Sequence, residues 1–291
     1  MSDSKAASLS RRAWLGGALA LACSRATEAP AEVSAETAGA AHGGDALGGT
    51  ERSNQRPAKA EAAGSGFAVV ELFTSQGCSS CPPADRVLRT LTDDADQSVL
   101  TLSFHVDYWN YLGWADPYSS ARYSARQRSY ASRLSGGRVF TPQAIVNGRH
   151  SALGSAQGEI EDLIRMEKKV ASLARLDLEY VAGTLSYRAG ALRGGISGGL
   201  KLALLLLQNS VHNPVPRGEN SGEDLSHVHV VRALLEREMA LEDDGTATGN
   251  WKLDLAGLTP KPAASPSNLS AAALISDPSG AIVGATLIGL S

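Results

Sequence analysis

The sequence predicts a mixed α/β chain: an N-terminal α/β domain with a strand–helix–strand unit, then an all-β, sandwich-like domain. Three observations predict it. The run Phe67 to Phe73 has strand character and leads into a helical pattern, with Ala84, Val87, Leu88 and Leu91 at i, i+3, i+4 and i+7. A second apolar run, Val99 to Val106, follows at the spacing of a right-handed crossover and parallel pairing. Beyond Arg175, short alternating or apolar runs recur between clusters of Gly, Pro, Asn and Asp, the pattern of a sandwich.

With 291 residues, the chain is long enough for one large or two ordinary domains. Its 27 basic and 30 acidic residues nearly cancel, and no long basic block interrupts them. That balance argues against nucleic acid as a partner.

Residues 1–23 carry the features of an export signal. Ser10-Arg11-Arg12-Ala13-Trp14-Leu15 resembles a twin-arginine pattern, with Trp14 where Phe is commoner. The apolar run behind it, Trp14 to Ala22, is too short to cross a bilayer as a helix. Ala20-Leu21-Ala22-Cys23 partly resembles a bacterial lipobox, with Ala20 where a larger aliphatic residue is usual. A lipid on Cys23 is therefore the one membrane link to consider, the alternative being that Cys23 leaves with the signal. Export, to the periplasm or beyond the cell, puts the remaining thiols where they can be oxidised. Residues 24–66 are rich in Ala, Gly and Glu and nearly free of large apolar side chains, as expected of a disordered linker.

The first domain is expected over residues 67–174. Its opening strand is apolar enough to be buried on both faces. Glu71 is its single charge, and general burial trends favour a place at a strand edge over an inward one. Between this strand and the helix stands Cys78-Ser79-Ser80-Cys81-Pro82-Pro83. Proline suits the first turn of a helix. A helix start favours negative charge, so a thiol there ionises more readily. The expectation is an exposed attacking Cys78 and a shielded Cys81 that resolves a mixed disulfide. A C-x-x-C at such a junction reads as a thioredoxin-like redox motif. Two other uses of the pair stay open: an inert disulfide closing a very short loop, or thiolates for a soft metal such as copper.

The second strand brings His105 and Asp107 toward the edge where the cysteines stand. His105 is a candidate for proton transfer or metal binding, with a structural histidine as the plain alternative. Tyr and Trp crowd the loop Asp107 to Pro117, as a binding surface or as a self-packed cover. A helix is expected over Ser119 to Leu134, with Tyr123, Tyr130 and Leu134 on one face and Arg122 and Arg126 on another, solvent-facing one. Thr141-Pro142 leads into Gln143 to Val146 and the hairpin turn Asn147-Gly148. In thioredoxin folds a cis proline precedes this strand and faces the C-x-x-C pair, so Thr141 and Pro142 join Cys78 and Cys81 as candidate site residues. A last helix is expected over Gln157 to Ala174, burying Ile160, Leu163, Ile164, Val170 and Ala171.

Taken together, Val70 to Asp85, Phe104-His105-Val106-Asp107-Tyr108-Trp109, Tyr111-Leu112-Gly113-Trp114 and Thr141-Pro142-Gln143 closely resemble the bacterial domain-of-unknown-function family 1223. Arg217-Gly218-Glu219-Asn220-Ser221-Gly222 and Val230-Val231-Arg232 resemble its later motifs. The resemblance implies a secreted, thioredoxin-like protein and no particular substrate. Against ordinary thioredoxin, Gly77 replaces the Trp before the first cysteine, and Ser79-Ser80 offers no cation to a thiolate.

Residues 175–291 are expected to form the sandwich-like domain. Within it His212 to His229 is polar and reads as one long loop. His227 and His229 stand two apart with no further ligand in view, so structural or surface roles are favoured over a metal site. The functional expectation is an exported thiol–disulfide oxidoreductase acting on a protein or small thiol or disulfide, with no cofactor. The alternatives are a copper-binding module using the same cysteines, or a partner-binding protein with a structural disulfide.

Overall fold

The computed structural model describes residues 66–96, 98–190, 199–258 and 266–290. The expected export signal and residues 24–65 of the linker lie outside them. The described chain is a mixed α/β structure dominated by one large sheet, with few helices.

Strands β1 (Ala68–Thr74) and β2 (Val99–His105) pair in parallel around helix α1 (Pro82–Asp93). Helix α2 (Ala121–Leu134) follows, then the hairpin β3 (Gln143–Val146) and β4 (His150–Leu153), then helix α3 (Gln157–Glu167). Strands β5 (Arg175–Val181), β6 (Thr184–Gly190), β7 (Leu200–Pro214), β8 (Asp224–Met239), β9 (Ala247–Lys252), β10 (Leu269–Ser276) and β11 (Ile282–Gly289) complete the order.

The eight-stranded sheet runs β11-β10-β7-β8-β2-β1-β3-β4, and β5-β6-β9 form a smaller one. The expected division into an α/β domain and a sandwich-like domain is therefore not one that the strands keep. Four strands from the second half extend the first half's sheet, joined where Ser103 lies opposite Val230. The reason lies in β7 and β8. Leu200 to Gln208 is apolar at nearly every position, as befits a strand covered on both faces. Ala203, Leu205 and Leu207 pack with Phe73, Phe104, Tyr123 and Tyr130 in the core beneath α2. Leu200, Leu202, Leu204 and Leu206 pack instead with Leu176, Leu185 and Tyr187 of the small sheet. The sandwich contact exists, but one of its two layers is the common sheet. A third cluster, with Ala68, Val70 and Leu72, lies under α1 and α3.

Two other expectations change. Helix α3 ends at Glu167, so Val170 and Ala171 are exposed beyond it. The polar stretch from His212 to His229 is mostly strand, because β7 and β8 form a long hairpin whose register reaches Pro214 opposite Asp224. Only residues 215–223 remain as its tip. Their polarity reflects a hairpin end rather than a loop of free conformation.

Candidate functional site

Cys78 and Cys81 are joined in a disulfide at the start of α1, with their Cα atoms 5.5 Å apart. The turn that carries them is closed by Cys78 N–H on Ser75 O and Cys81 N–H on Cys78 O, both at 3.1 Å. Against expectation, Cys78 is not exposed: it is 1% accessible, and Cys81 is 0%. The hairpin tip of β7 and β8, which was expected to belong to another domain, is bonded to the backbone of this turn. Asn220 is buried there and donates its side-chain amide to Gln76 O at 2.8 Å and Cys78 O at 3.0 Å. Glu219 accepts the Ser79 N–H at 3.0 Å, a bond that holds its carboxyl below the usual range.

The Thr141–Pro142 peptide is cis and lies beside the disulfide. Thr141 Oγ1 donates toward Cys78 Sγ at 3.3 Å, and Ser80 Oγ stands 3.3 Å from the same sulfur. Trp109, from the aromatic loop, donates its indole N–H to Thr141 Oγ1 at 2.7 Å. Helix α2 steadies the segment from behind, where Gln127 Nε2 donates to Phe140 O at 2.7 Å and to Gln143 Oε1 at 2.9 Å. Gly154 closes the other side: its N–H bonds to Pro142 O at 2.9 Å, and a Cβ there would meet Leu72, Pro142 and Ala84 within 3.1 Å.

The aromatic loop packs onto its neighbours, with Tyr108 and Trp109 against the core beneath α2, and has one exposed ring, Tyr111. Asp107 is held structurally, accepting from Ser124 Oγ at 2.5 Å. Trp114 Nε1 and Asn213 Nδ2 both donate to Gln76 Oε1, at 3.1 and 3.0 Å. Gln76 thereby ties the loop and the long hairpin to the cysteine turn.

Sequence reasoning did not foresee the ionisable cluster buried beside that turn. His105 Nδ1 pairs with Asp116 at 2.7 Å, and Asp116 also accepts the Gln76 N–H at 2.8 Å. Burial would raise the Asp116 pKa, but His105 and these hydrogen bonds bring it below the ordinary value. His227 packs its ring against His105, with centroids 4.6 Å apart, and its Nδ1 lies 3.4 Å from Asp85. That separation makes an ion pair but not a well-formed hydrogen bond, and both Asp85 oxygens lack a hydrogen-bond partner. Burial pulls the His227 pKa down, yet the Asp85 charge outweighs it and the net shift is upward. His229 has φ +45° and turns to Thr101, 3.0 Å from its hydroxyl and its carbonyl oxygen. Among the described residues, no group of three or more His, Cys, Asp or Glu is placed to hold a metal ion.

Glu71 and Arg126 also depart from expectation. Glu71 lies fully inside the sheet, on a strand with neighbours on both sides. Arg126 reaches it from α2 with Nε at 2.6 Å and Nη2 at 3.0 Å, and the Tyr130 hydroxyl donates to it at 2.6 Å. The pair serves the fold rather than the cysteines.

Residues 69–265 match the model of a family described as "Protein of unknown function (DUF1223)". Among solved structures, protein AGR_C_4864 of Agrobacterium tumefaciens is 29% identical, with a TM-score of 0.61 over 79% of this chain and 97% of that one. HBP35 of Porphyromonas gingivalis is 16% identical, with a TM-score of 0.59 over 79% of this chain and 77% of that one, a likeness of fold alone. No curated protein matches the chain.

Proposed function

Because the chain belongs to the DUF1223 family, whose function is unknown, its role has to be read from its own site, and we propose an exported thiol–disulfide oxidoreductase of thioredoxin-like design. The observation that carries this reading is the Cys78–Cys81 disulfide at a helix start, facing the Thr141–Pro142 segment with the Thr141 hydroxyl on the sulfur of Cys78. A disulfide needed only for stability requires no such neighbour, and closing so short a loop stabilises little.

In the oxidising direction, a substrate thiolate attacks Cys78 Sγ. The Cys78–Cys81 bond breaks, Cys81 departs as a thiolate, and a mixed disulfide to Cys78 forms. A second substrate thiolate then attacks the substrate's own sulfur in that mixed disulfide, forming the substrate disulfide and releasing Cys78 as a thiolate. Two electrons pass to the cysteine pair. The reverse sequence reduces a disulfide. With Cys78 buried, either direction requires the turn to open, and the 215–223 tip bonded to its backbone is the segment expected to move. The substrate is a protein or small thiol or disulfide. The twin-arginine-like N-terminus supports an exported protein, with a lipid on Cys23 as its one candidate membrane link.

The test is trapping. Cys81→Ser is expected to accumulate mixed disulfides through Cys78, and Cys78→Ser to accumulate none. If neither variant traps a partner in a folded, exported protein, the reading fails. A second reading, a permanently closed structural disulfide, is favoured by the burial of both sulfurs. It predicts a pair that the glutathione pool does not open, below roughly −300 mV.

A further inference from the structure

A thiolate at Cys78 has little of the support expected at a helix start. Pro82 and Pro83 occupy the first two helical positions and bring no N–H groups. The next donors, Ala84 and Asp85 N–H, are both spent on Cys81 O, at 2.8 and 3.1 Å. Ser79-Ser80 supplies no cation, and burial disfavours an ionised thiol. What faces the sulfur is hydroxyl. Ser80 is not committed to it, because its hydroxyl also stands 3.5 Å from Thr141 O and has one hydrogen to give. Thr141 is the better placed, although the Tyr108 hydroxyl is a second neighbour of its Oγ1. An indole N–H only donates, so Trp109 occupies Thr141 Oγ1 as a donor and leaves the threonine hydrogen free to point at Cys78 Sγ. Donation into a hydroxyl also strengthens the bond that the hydroxyl gives onward.

We propose that Thr141 is the group that holds Cys78 as a thiolate in the reduced protein, and that Trp109 is a positioning residue that aims the Thr141 hydroxyl. The catalytic use of that thiolate rests on the oxidoreductase reading; its stabilisation does not. Stabilising the thiolate stabilises the reduced pair, so the Trp109–Thr141 chain favours uptake of electrons from dithiol substrates.

The experiment is a titration of thiolate absorbance in the reduced full chain with Cys78 as its single thiol (Cys23→Ser and Cys81→Ser). A hydrogen bond to a charged group is worth about 1.5–3 kcal/mol, so Thr141→Val is expected to lower the thiolate fraction at a given pH roughly tenfold or more. Thr141→Ser restores it, because the hydroxyl returns. Trp109→Phe keeps a ring and loses the donor, and is expected to shift the titration in the same direction by less. In the native pair, Thr141→Val moves the glutathione equilibrium toward the disulfide, about 30 mV for each tenfold change. An unchanged Cys78 titration in Thr141→Val overturns the proposal. Should that variant not fold, Trp109→Phe decides alone: a shift supports the proposal and an unchanged titration overturns it. A shifted titration in a protein that traps no substrate keeps this inference and removes the oxidoreductase reading, so the two failures are distinct.

Discussion

Asn220 holds the backbone of Cys78 from across the sheet, its amide 3.0 Å from the Cys78 carbonyl oxygen and 2.8 Å from that of Gln76. One side chain therefore joins the tip of the β7–β8 hairpin to the turn that carries the disulfide.

Removing that clamp is expected to expose the sulfurs. Asn220→Ala leaves two buried carbonyls without their donor, at a cost of about 1–3 kcal/mol. We expect the disulfide to be reduced several-fold faster by a phosphine in this variant than in wild type. Equal rates at equal stability would mean that the tip is not the barrier.

The Glu71–Arg126 pair predicts an asymmetry. Glu71→Gln removes the buried counter-charge of Arg126 and leaves it only the half-exposed Glu236, and breaking such a buried pair costs up to about 3–5 kcal/mol. Replacing both, as Glu71→Leu with Arg126→Met, is expected to recover most of the loss. Urea unfolding of the three proteins measures it, and a double variant no better than the single would contradict the argument.

The His227–Asp85 pair predicts a pH dependence. The folded pKa of His227 lies above its unfolded value: burial opposes the charged form, but Asp85 overrides it. Its stabilisation is therefore complete below about pH 6.5 and is lost as pH rises through the folded value. Wild type is expected to lose urea resistance from pH 6 to 8 more steeply than Asp85→Asn. Parallel profiles would remove His227 as the cause.

Gly154→Ala should act on the site through packing alone. The new methyl would lie 2.7 Å from Leu72, 3.0 Å from Pro142 and 3.1 Å from Ala84. Relieving such overlap typically costs about 1–3 kcal/mol. Because Pro142 is one of the three, a changed rate of disulfide reduction is expected beside a lowered thermal midpoint. A variant as stable as wild type would show that the contact relaxes freely.

Local patterns made part of this legible. The strand–turn–helix signal around Cys78 and Cys81, the helix at Ser119 to Leu134 and the Asn147-Gly148 turn each depend on neighbours within a few residues, and each lies where the pattern put it. Glu71 depends on a partner 55 residues away, so burial trends favoured the wrong side for it. A usable signal was present: one charge in a strand apolar on both faces asks for a counter-charge, and Arg126 stood on α2, beyond α1 and β2. The hairpin contact at Cys78 was harder to place. It rests on Asn220, 142 residues on, and on a hairpin whose polar tip has the composition of any exposed loop. The buried His105–His227 contact came from the same long-range closure.

The joining of β2 to β8 also bears on how the chain is made. During synthesis the outer edge of β2 has no partner until the ribosome has passed Val230, opposite Ser103. A bare edge strand is a template for pairing with another chain. Nascent chains of this protein thus carry an open sheet edge for much of their elongation, at about 5–20 residues per second. A chain ended at residue 174 should pellet with aggregates on centrifugation where the full chain stays in solution. The strand that shuts the sheet is also the one whose hairpin tip bonds to the disulfide turn, so the same late event completes both.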